Sequence, residues 1–589
     1  RGGGGSARQQ GGSGGGVNVN WDGSWTVATD RDEAGWYAYF RIPFSTLRFA
    51  SGTDQIWGIN FQRSIAHKNE EVFWSPISRQ YNLYRLSSAG VLDGLTVPEQ
   101  RLITVTPYAL ASAQRIPAID ADVRYPYEFG ADAKIGITQG LALDLTLNTD
   151  FAQVEVDEQQ VDLTRFNLLF PEKRPFFLEN AGLFAVGSNN AAQMFFSRRI
   201  GIGEGGAPVP IEWGSRMTGR AGGFNVGLLH IETDALDAAQ TANRYSVARL
   251  AREFNNRSQL GAIVTNRMAV GDGDDYGRTY ALDGRLGLGE AFTLNAIGGV
   301  TDTPGLEGGN EAVMLSAEYR TADWRVAPFY NQVGANFNPE VGFLRRSDFR
   351  GGGGALMRYV RTPSISWLRE LRPHLNYDVS YDLDGFKLTE TIHIDSHVAW
   401  ENGALFSPAT DWVFDGLTTP FRAAPGIDVA PGEYSGWMFA PRANTSTRAP
   451  VIFRTGADVG SFLSGSRKGG FGSVDFRQGD TLAGTLRLEH NQIDLAEGSF
   501  DVTLAQARVG YSFTPEIFIQ SLVQYSTQSD IWSGNIRLGW LDTAGTGLFL
   551  VYNERQMIDD IAGPLERSFL IKFTRQFDVA RAGRDMLGW

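Results

Sequence analysis

The sequence predicts an all-β protein: a large antiparallel transmembrane β-barrel preceded by a small β-rich unit. Three observations carry that prediction. From about Arg101 to Phe577, runs of about ten residues alternate apolar and polar side chains, each followed by a short Gly- and Asp-rich break. No stretch of about 18 apolar residues is present that would cross a bilayer as a helix. The 70 glycines and 12% aromatic content suit many tight turns and two interface girdles.

The clearest strand places Trp532, Gly534, Ile536, Leu538 and Trp540 on one face and Ser533, Asn535, Arg537 and Gly539 on the other. Successive strand side chains point to opposite faces, so one row meets lipid while the other meets water. Leu141, Leu143, Leu145 and Leu147 face away from Asp144, Thr146 and Asn148 in the same way, and Leu482, Leu486 and Leu488 away from Thr485, Arg487 and Glu489. The last strand sets Phe569, Ile571, Phe573 and Phe577 against Ser568, Lys572, Thr574 and Gln576. At nine to eleven residues per crossing, about 24 strands are expected, and a closed barrel with an even count is assumed.

Composition narrows the function classes. The mean hydropathy is -0.21, which is no argument against a barrel because half of every strand is polar. A net charge of -13 argues against a nucleic-acid-binding surface. The absence of cysteine removes disulfides, thiolate metal sites and cysteine nucleophiles. The chain opens on Arg1 without a signal peptide and is read as mature or truncated, with export inferred from the barrel alone.

Along the chain, residues 1–16 are Gly-rich and expected to be flexible. Residues 17–97 form a strand-rich unit, with strands at Trp36 to Arg41 and Ile56 to Arg63, and are read as the second half of a domain whose first half is missing. Trp36, Trp57 and Trp74 are spaced as core residues. Trp21 and Trp25 lie nearer a loop and are the candidates for stacking on a sugar ring. The barrel occupies 98–589. Its alternation fails at Phe151 to Ile200, which is too long and too charged for a hairpin loop and is expected to fold into the lumen or lie across the periplasmic mouth as a plug.

Residues Asn148 to Phe184 read NTDFAQVEVDEQQVDLTRFNLLFPEKRPFFLENAGLF, and FFSRRIG follows at Phe195 to Gly201. Together with EAGWYAYFRIPFSTLRF at Glu33 to Phe49, WGINFQR at Trp57 to Arg63 and NEEVFW at Asn69 to Trp74, this resembles an uncharacterised bacterial outer-membrane family, a domain of unknown function. Members of that family carry an N-terminal domain resembling family-nine carbohydrate-binding modules. The resemblance implies a barrel in the outer membrane of a Gram-negative cell and implies little about activity. The Gly-rich start stands where the first half of the module-like domain is expected, so a sugar site needing both halves is expected to be incomplete. Within the interruption, Glu172, Lys173 and Arg174 stand beside Phe176 and Phe177, and Glu155, Asp157 or Glu179 offers a carboxylate to pair with Arg174. These eight residues hold the plug by salt bridges or line the lumen and select solute charge.

Other constellations are weaker. His393, Asp395 and His397 share a polar face, yet the two histidines lie about 13 Å apart along a strand, too far to hold one ion, so a solvated lumen wall is expected. GDGDDYG gathers Asp272, Asp274 and Asp275, weak calcium candidates that lack full loop spacing and read better as a hairpin tip. Gly351 to Gly354 has no strand-to-helix context for a phosphate loop. No Gly-x-Ser-x-Gly elbow or His-Glu-x-x-His motif is present, and neither a catalytic set nor a cofactor is expected. The expected partners are outer-membrane lipid and lipopolysaccharide, a solute such as a saccharide, and envelope proteins. The leading reading is a porin-like or gated channel; a plugged scaffold barrel and a rim-located hydrolase are the alternatives.

Overall fold

The computed structural model describes residues 25–47, 49, 54–97, 102–117, 120–149, 157–203, 208–235, 241–542, 545–557 and 564–579. The Gly-rich residues 1–16, Trp21 and Glu155 fall outside the described residues. The strands after Leu102 close into a barrel of 24 antiparallel crossings, each paired with its neighbours in sequence. Four crossings are interrupted, such as Leu405–Ser407 with Thr410–Leu417 and Gly432–Phe439 with Arg442–Asn444. The ring closes where Glu566–Thr574 pairs with Ile103–Ile116, with Ile571 opposite Ala111. Closure leaves no unpaired edge, the condition for strands to cross hydrocarbon.

Alternation sets which face meets lipid. In Ile531–Leu541, Ile536, Leu538 and Trp540 are exposed while Ser533, Asn535 and Arg537 are buried, and in Leu141–Thr149 the buried residues include Asp144 and Thr146. Phe569, Ile571, Phe573 and Phe577 likewise face out. The chain lies in the bacterial outer membrane, as an apolar outer belt on a closed, even-numbered meander requires. Several strands exceed the expected nine to eleven residues, Gly498–Ser512 reaching 15, so the wall continues beyond the hydrocarbon.

Connections differ at the two ends. Where the chain enters and leaves the barrel, turns are short. Ala221 passes to Phe224 through Gly222 and Gly223, both at positive φ, which a two-residue turn matched to strand twist demands. At the other end most connections are longer and include the interruption, which joins Thr149 to Ile211, although Phe462 passes to Gly465 and Leu495 to Gly498 through two residues each. The Gly351 to Gly354 run lies inside Phe349–Arg358, where a Cβ at Gly353 would meet the Tyr377 carbonyl oxygen at 1.9 Å. Those glycines admit close strand approach.

The N-terminal unit consists of three two-stranded ladders: Thr26–Arg31 with Trp36–Arg41, Asp54–Ile59 with Gly90–Thr96, and Gln62–Ile65 with Glu70–Phe73. The expected strand from Ile56 to Arg63 breaks at Asn60, whose Oδ1 accepts from the Phe61 and Ser75 amides. The core assignment of two tryptophans is corrected: Trp36 and Trp74 are 55% and 62% exposed. Separate ladders, with no second sheet across from them among the described residues, leave such faces uncovered. Trp57 does pack, against Phe44 and Phe49. The unit touches the short-turn end of the barrel, where Tyr81 Oη donates to the Glu290 carbonyl at 2.5 Å and Arg448 pairs with Glu71 at 2.9 Å.

Candidate functional site

Between Thr149 and Ile211 the described part of the interruption has little regular structure, only a short helix at Pro175–Leu178, a two-residue strand and a 3-10 turn. Its apolar side chains are buried instead against the inner wall. Phe176, Phe177, Phe184, Met194 and Ile200 share one apolar cluster with Ile231, Val247, Ile263 and Met314 from the strands. A second inserted stretch, residues 334–348, joins them, with Phe337 and Val341 in the same cluster and Ala192–Gln193 paired to Phe343–Leu344. Sequence reading missed this stretch, although FNPEVGF interrupts the alternation there too.

Glu172 is the polar centre of the segment. It is 2% exposed and accepts from Arg174 Nε at 2.9 Å and Nη2 at 2.7 Å, from Ser197 Oγ at 2.8 Å, and from two backbone amides. Burial alone would raise its carboxyl, but the charge and hydrogen bonds of Arg174, with Ser197, outweigh burial and hold it below the usual carboxylate range. Arg174 also donates to the Ile200 and Ser197 carbonyls and lies over the Phe177 ring at 4.3 Å. Of the carboxylates expected to pair with Arg174, Glu155 lies outside the described residues, while Asp157 and Glu179 take other cations. Glu172, two residues away, reaches the guanidinium first, while Asp157 pairs with Lys173 at 3.1 Å and with Arg198. Glu179 turns outward to Lys134 on the wall.

The wall answers with charges of its own. Asp144 stands opposite both Lys134 and Arg216 in the strand register, and Arg216 pairs with Asp144 at 2.9 Å while donating to the Glu179 carbonyl at 2.7 Å. Arg249 holds Asp283 through two bonds at 2.5 and 2.8 Å and reaches the Leu183 carbonyl at 3.3 Å. Further along, Arg165 donates to the Gly416 and Leu388 carbonyls, both at 2.8 Å. Burial pulls Arg165 below its ordinary value, and Asp415 restores only part of it. Beside it Arg346 is lowered to about 10, by burial first and then by the charge of Arg165. Gln524 and Gln506 bond the backbone of Gln159, and Gln528 that of Asp162. The segment thus touches widely separated arcs of the barrel.

The lumen has two unlike sectors. Arg216 and Arg249, under the inserted segment, are each 3% exposed. On the far wall, Arg454 and Arg487 are 39% and 41% exposed and pair with Asp475 and Glu489. One sector is dry and the other is a wetted ladder of cations and carboxylates.

The remaining candidates resolve as follows. Asp275 pairs with Arg267 at 2.6 Å and Asp272 accepts from the Asp274 amide, as in a self-bonded hairpin tip. Trp25 is 39% exposed and stacks on Phe40 at 6.1 Å. His393 and His397 are joined by a residue the sequence did not put with them: His374, on Leu368–Tyr381, faces Asp395 directly in the register. Ser407 Oγ bonds Asp395 itself, so a nucleophile, imidazole, carboxylate order is not formed there.

A profile described as a domain of unknown function (DUF5916) matches residues 98–209, which span the first three crossings and the inserted segment. No curated protein sequence matches the chain. Among solved structures, the chain is similar to the ferric-catecholate import receptor Fiu from E. coli K12, at 8% identity and TM-score 0.31, covering 83% of this chain and 84% of that one. It is similar to the siderophore receptor PirA from Pseudomonas aeruginosa at 10% identity and TM-score 0.32, covering 86% of each. OccAB2 of Acinetobacter baumannii follows at 9% identity and TM-score 0.29, covering 81% of this chain and 98% of that one.

Proposed function

We propose that the barrel is a gated outer-membrane channel for polar solute, with the inserted segment as its gate. The observation that carries this reading is the divided lumen. The segment is packed dry against one arc, while the opposite arc keeps partly exposed arginines and carboxylates in a water-accessible row. Such a row at reduced dielectric favours polar solutes and discriminates by charge. By the usual arrangement of short periplasmic turns and long outer loops, the N-terminal unit sits at the periplasmic mouth. Saccharide is the solute class the module-like resemblance and the Trp25 and Phe40 pair favour. The outer belt meets lipid and lipopolysaccharide.

A second reading, a permanently plugged scaffold for envelope partners, is favoured by the continuous apolar cluster between segment and wall. Liposome swelling with neutral sugars of graded size separates the two. The channel reading expects influx that rises when Glu155 to Glu179 are deleted. A barrel that inserts but swells in neither form contradicts it.

A further inference from the structure

Three neighbouring strands bring three imidazoles and two carboxylates to one patch of the inner wall. His374 from Leu368–Tyr381 faces Asp395 of Lys387–Trp400, with His393 and His397 on the diagonals, and Asp411 of Thr410–Leu417 faces His393. Directly opposite and diagonal partners on one face of a sheet lie within reach of each other's side chains. His374 Nε2 is 3.2 Å from His393 Nε2 and 3.8 Å from Asp395 Oδ2.

The outer hydrogen bonds decide which ring nitrogens carry protons. His374 Nδ1 lies 2.9 Å from the Arg372 carbonyl oxygen, which can only accept, so this nitrogen is the donor. His393 Nδ1 lies 2.6 Å from Asp411 Oδ1 and donates to that carboxylate. Each neutral ring therefore turns an unprotonated Nε2 toward the other. Two lone pairs facing at this distance repel unless a proton or a metal ion stands between them. An imidazole that donates one nitrogen to a carboxylate or carbonyl and presents the other is the arrangement found around bound metal ions.

We propose that His374, His393 and Asp395 bind a divalent transition-metal ion of the zinc, cobalt or nickel class. Two nitrogens and one carboxylate suit that class better than calcium or magnesium, which prefer oxygen. Ligands about 2.1 Å from a tetrahedral ion are about 3.4 Å from one another. The separations of 3.2 and 3.8 Å bracket that value, and all three ligand atoms lie within 4.8 Å of one another. Neighbouring groups fix the Asp395 carboxylate in place. Its Oδ1 accepts from the Ser396 amide, while Oδ2 accepts from Ser407 Oγ and lies 3.1 Å from His397 Nε2. His397 Nδ1 is buried without a hydrogen-bond partner among the described residues. His393 and His397 keep about a quarter of their side-chain surface exposed, so an ion reaches the site from the lumen. The ion would staple two adjacent strands of the wall that also carries the Arg165 tether. The site stands whether or not the barrel conducts.

The test uses the full chain without a histidine tag, stripped with a chelator in detergent and titrated calorimetrically with zinc chloride, then with cobalt chloride while the visible spectrum is followed. The expected result is one zinc per chain, with a tetrahedral cobalt spectrum. His374→Gln and His393→Gln should each weaken binding at least about tenfold, and Asp411→Asn by about ten- to a hundredfold through the lost orientation of His393. His490→Gln, on an exposed ring elsewhere, should leave binding unchanged. Heat-dependent gel migration reports folding of each variant, and Asp411→Asn keeps the test decisive if a histidine variant misfolds. Absence of zinc uptake by the folded wild type, or unchanged uptake by the folded His374→Gln/His393→Gln pair, overturns the proposal.

Discussion

At the scale of single residues, Glu172 is the most consequential side chain of the inserted segment. It ties Arg174, Ser197 and two backbone amides into one knot beneath the Phe177 ring. Removing one partner of a buried ion pair leaves the other charge uncompensated, at about 3–5 kcal/mol. Glu172→Ala should destabilise the segment by that order, read as a lower temperature for its loss of protection from exchange. The sign with pH follows from the depressed carboxyl. Its stabilisation is fully present above the unfolded value of about 4.3 and is lost as pH falls through the lower folded value. Segment protection should therefore be flat from neutral pH to about pH 4 and fall below it, and Glu172→Gln should remove that acid limb. A fall beginning near pH 6 would point to histidine instead. Phe177, 4% exposed, carries the apolar share; truncation to alanine should cost about 3–5 kcal/mol by the same readout.

At the scale of elements, the inserted segment divides into a tethered half and a cored half. Residues 157–170 hold to the wall through Arg165, Gln159 and Asp162 by hydrogen bonds, whereas Phe176 to Ile200 rest on the buried apolar cluster. Arg165→Ala should raise hydrogen exchange in the first half and leave the second protected. Equal loosening of both would mean the segment moves as one body. The strands were legible because period-two alternation is a direct image of the two faces: Leu141 to Leu147 point out and Asp144 and Thr146 in, as their spacing required. The partners inside the segment were less legible. Composition gathered Glu172, Arg174, Phe176 and Phe177, but which carboxylate reaches Arg174 is set by an irregular stretch of chain with no periodic signature. His374 escaped for a related reason, since its tie to Asp395 is a matter of strand register, visible only once neighbouring strands are aligned.

At the scale of the whole molecule, a 24-crossing ring encloses more space than side chains alone fill, and the chain occupies part of it with its own segments. The N-terminal ladders meet the short-turn mouth through Tyr81, Asn69 and Arg448, while the inserted segment hangs from the opposite end. Between them runs the wetted arc carrying Arg454, Asp475, Arg487 and Glu489. This division makes the central claim a statement about ionic current. Single-channel recording in planar bilayers, on the intact chain and on the chain lacking Glu155 to Glu179, tests it most directly. The account predicts small or intermittent steps for the intact chain and larger, sustained conductance after the deletion. Inserted barrels that stay silent in both forms would contradict it.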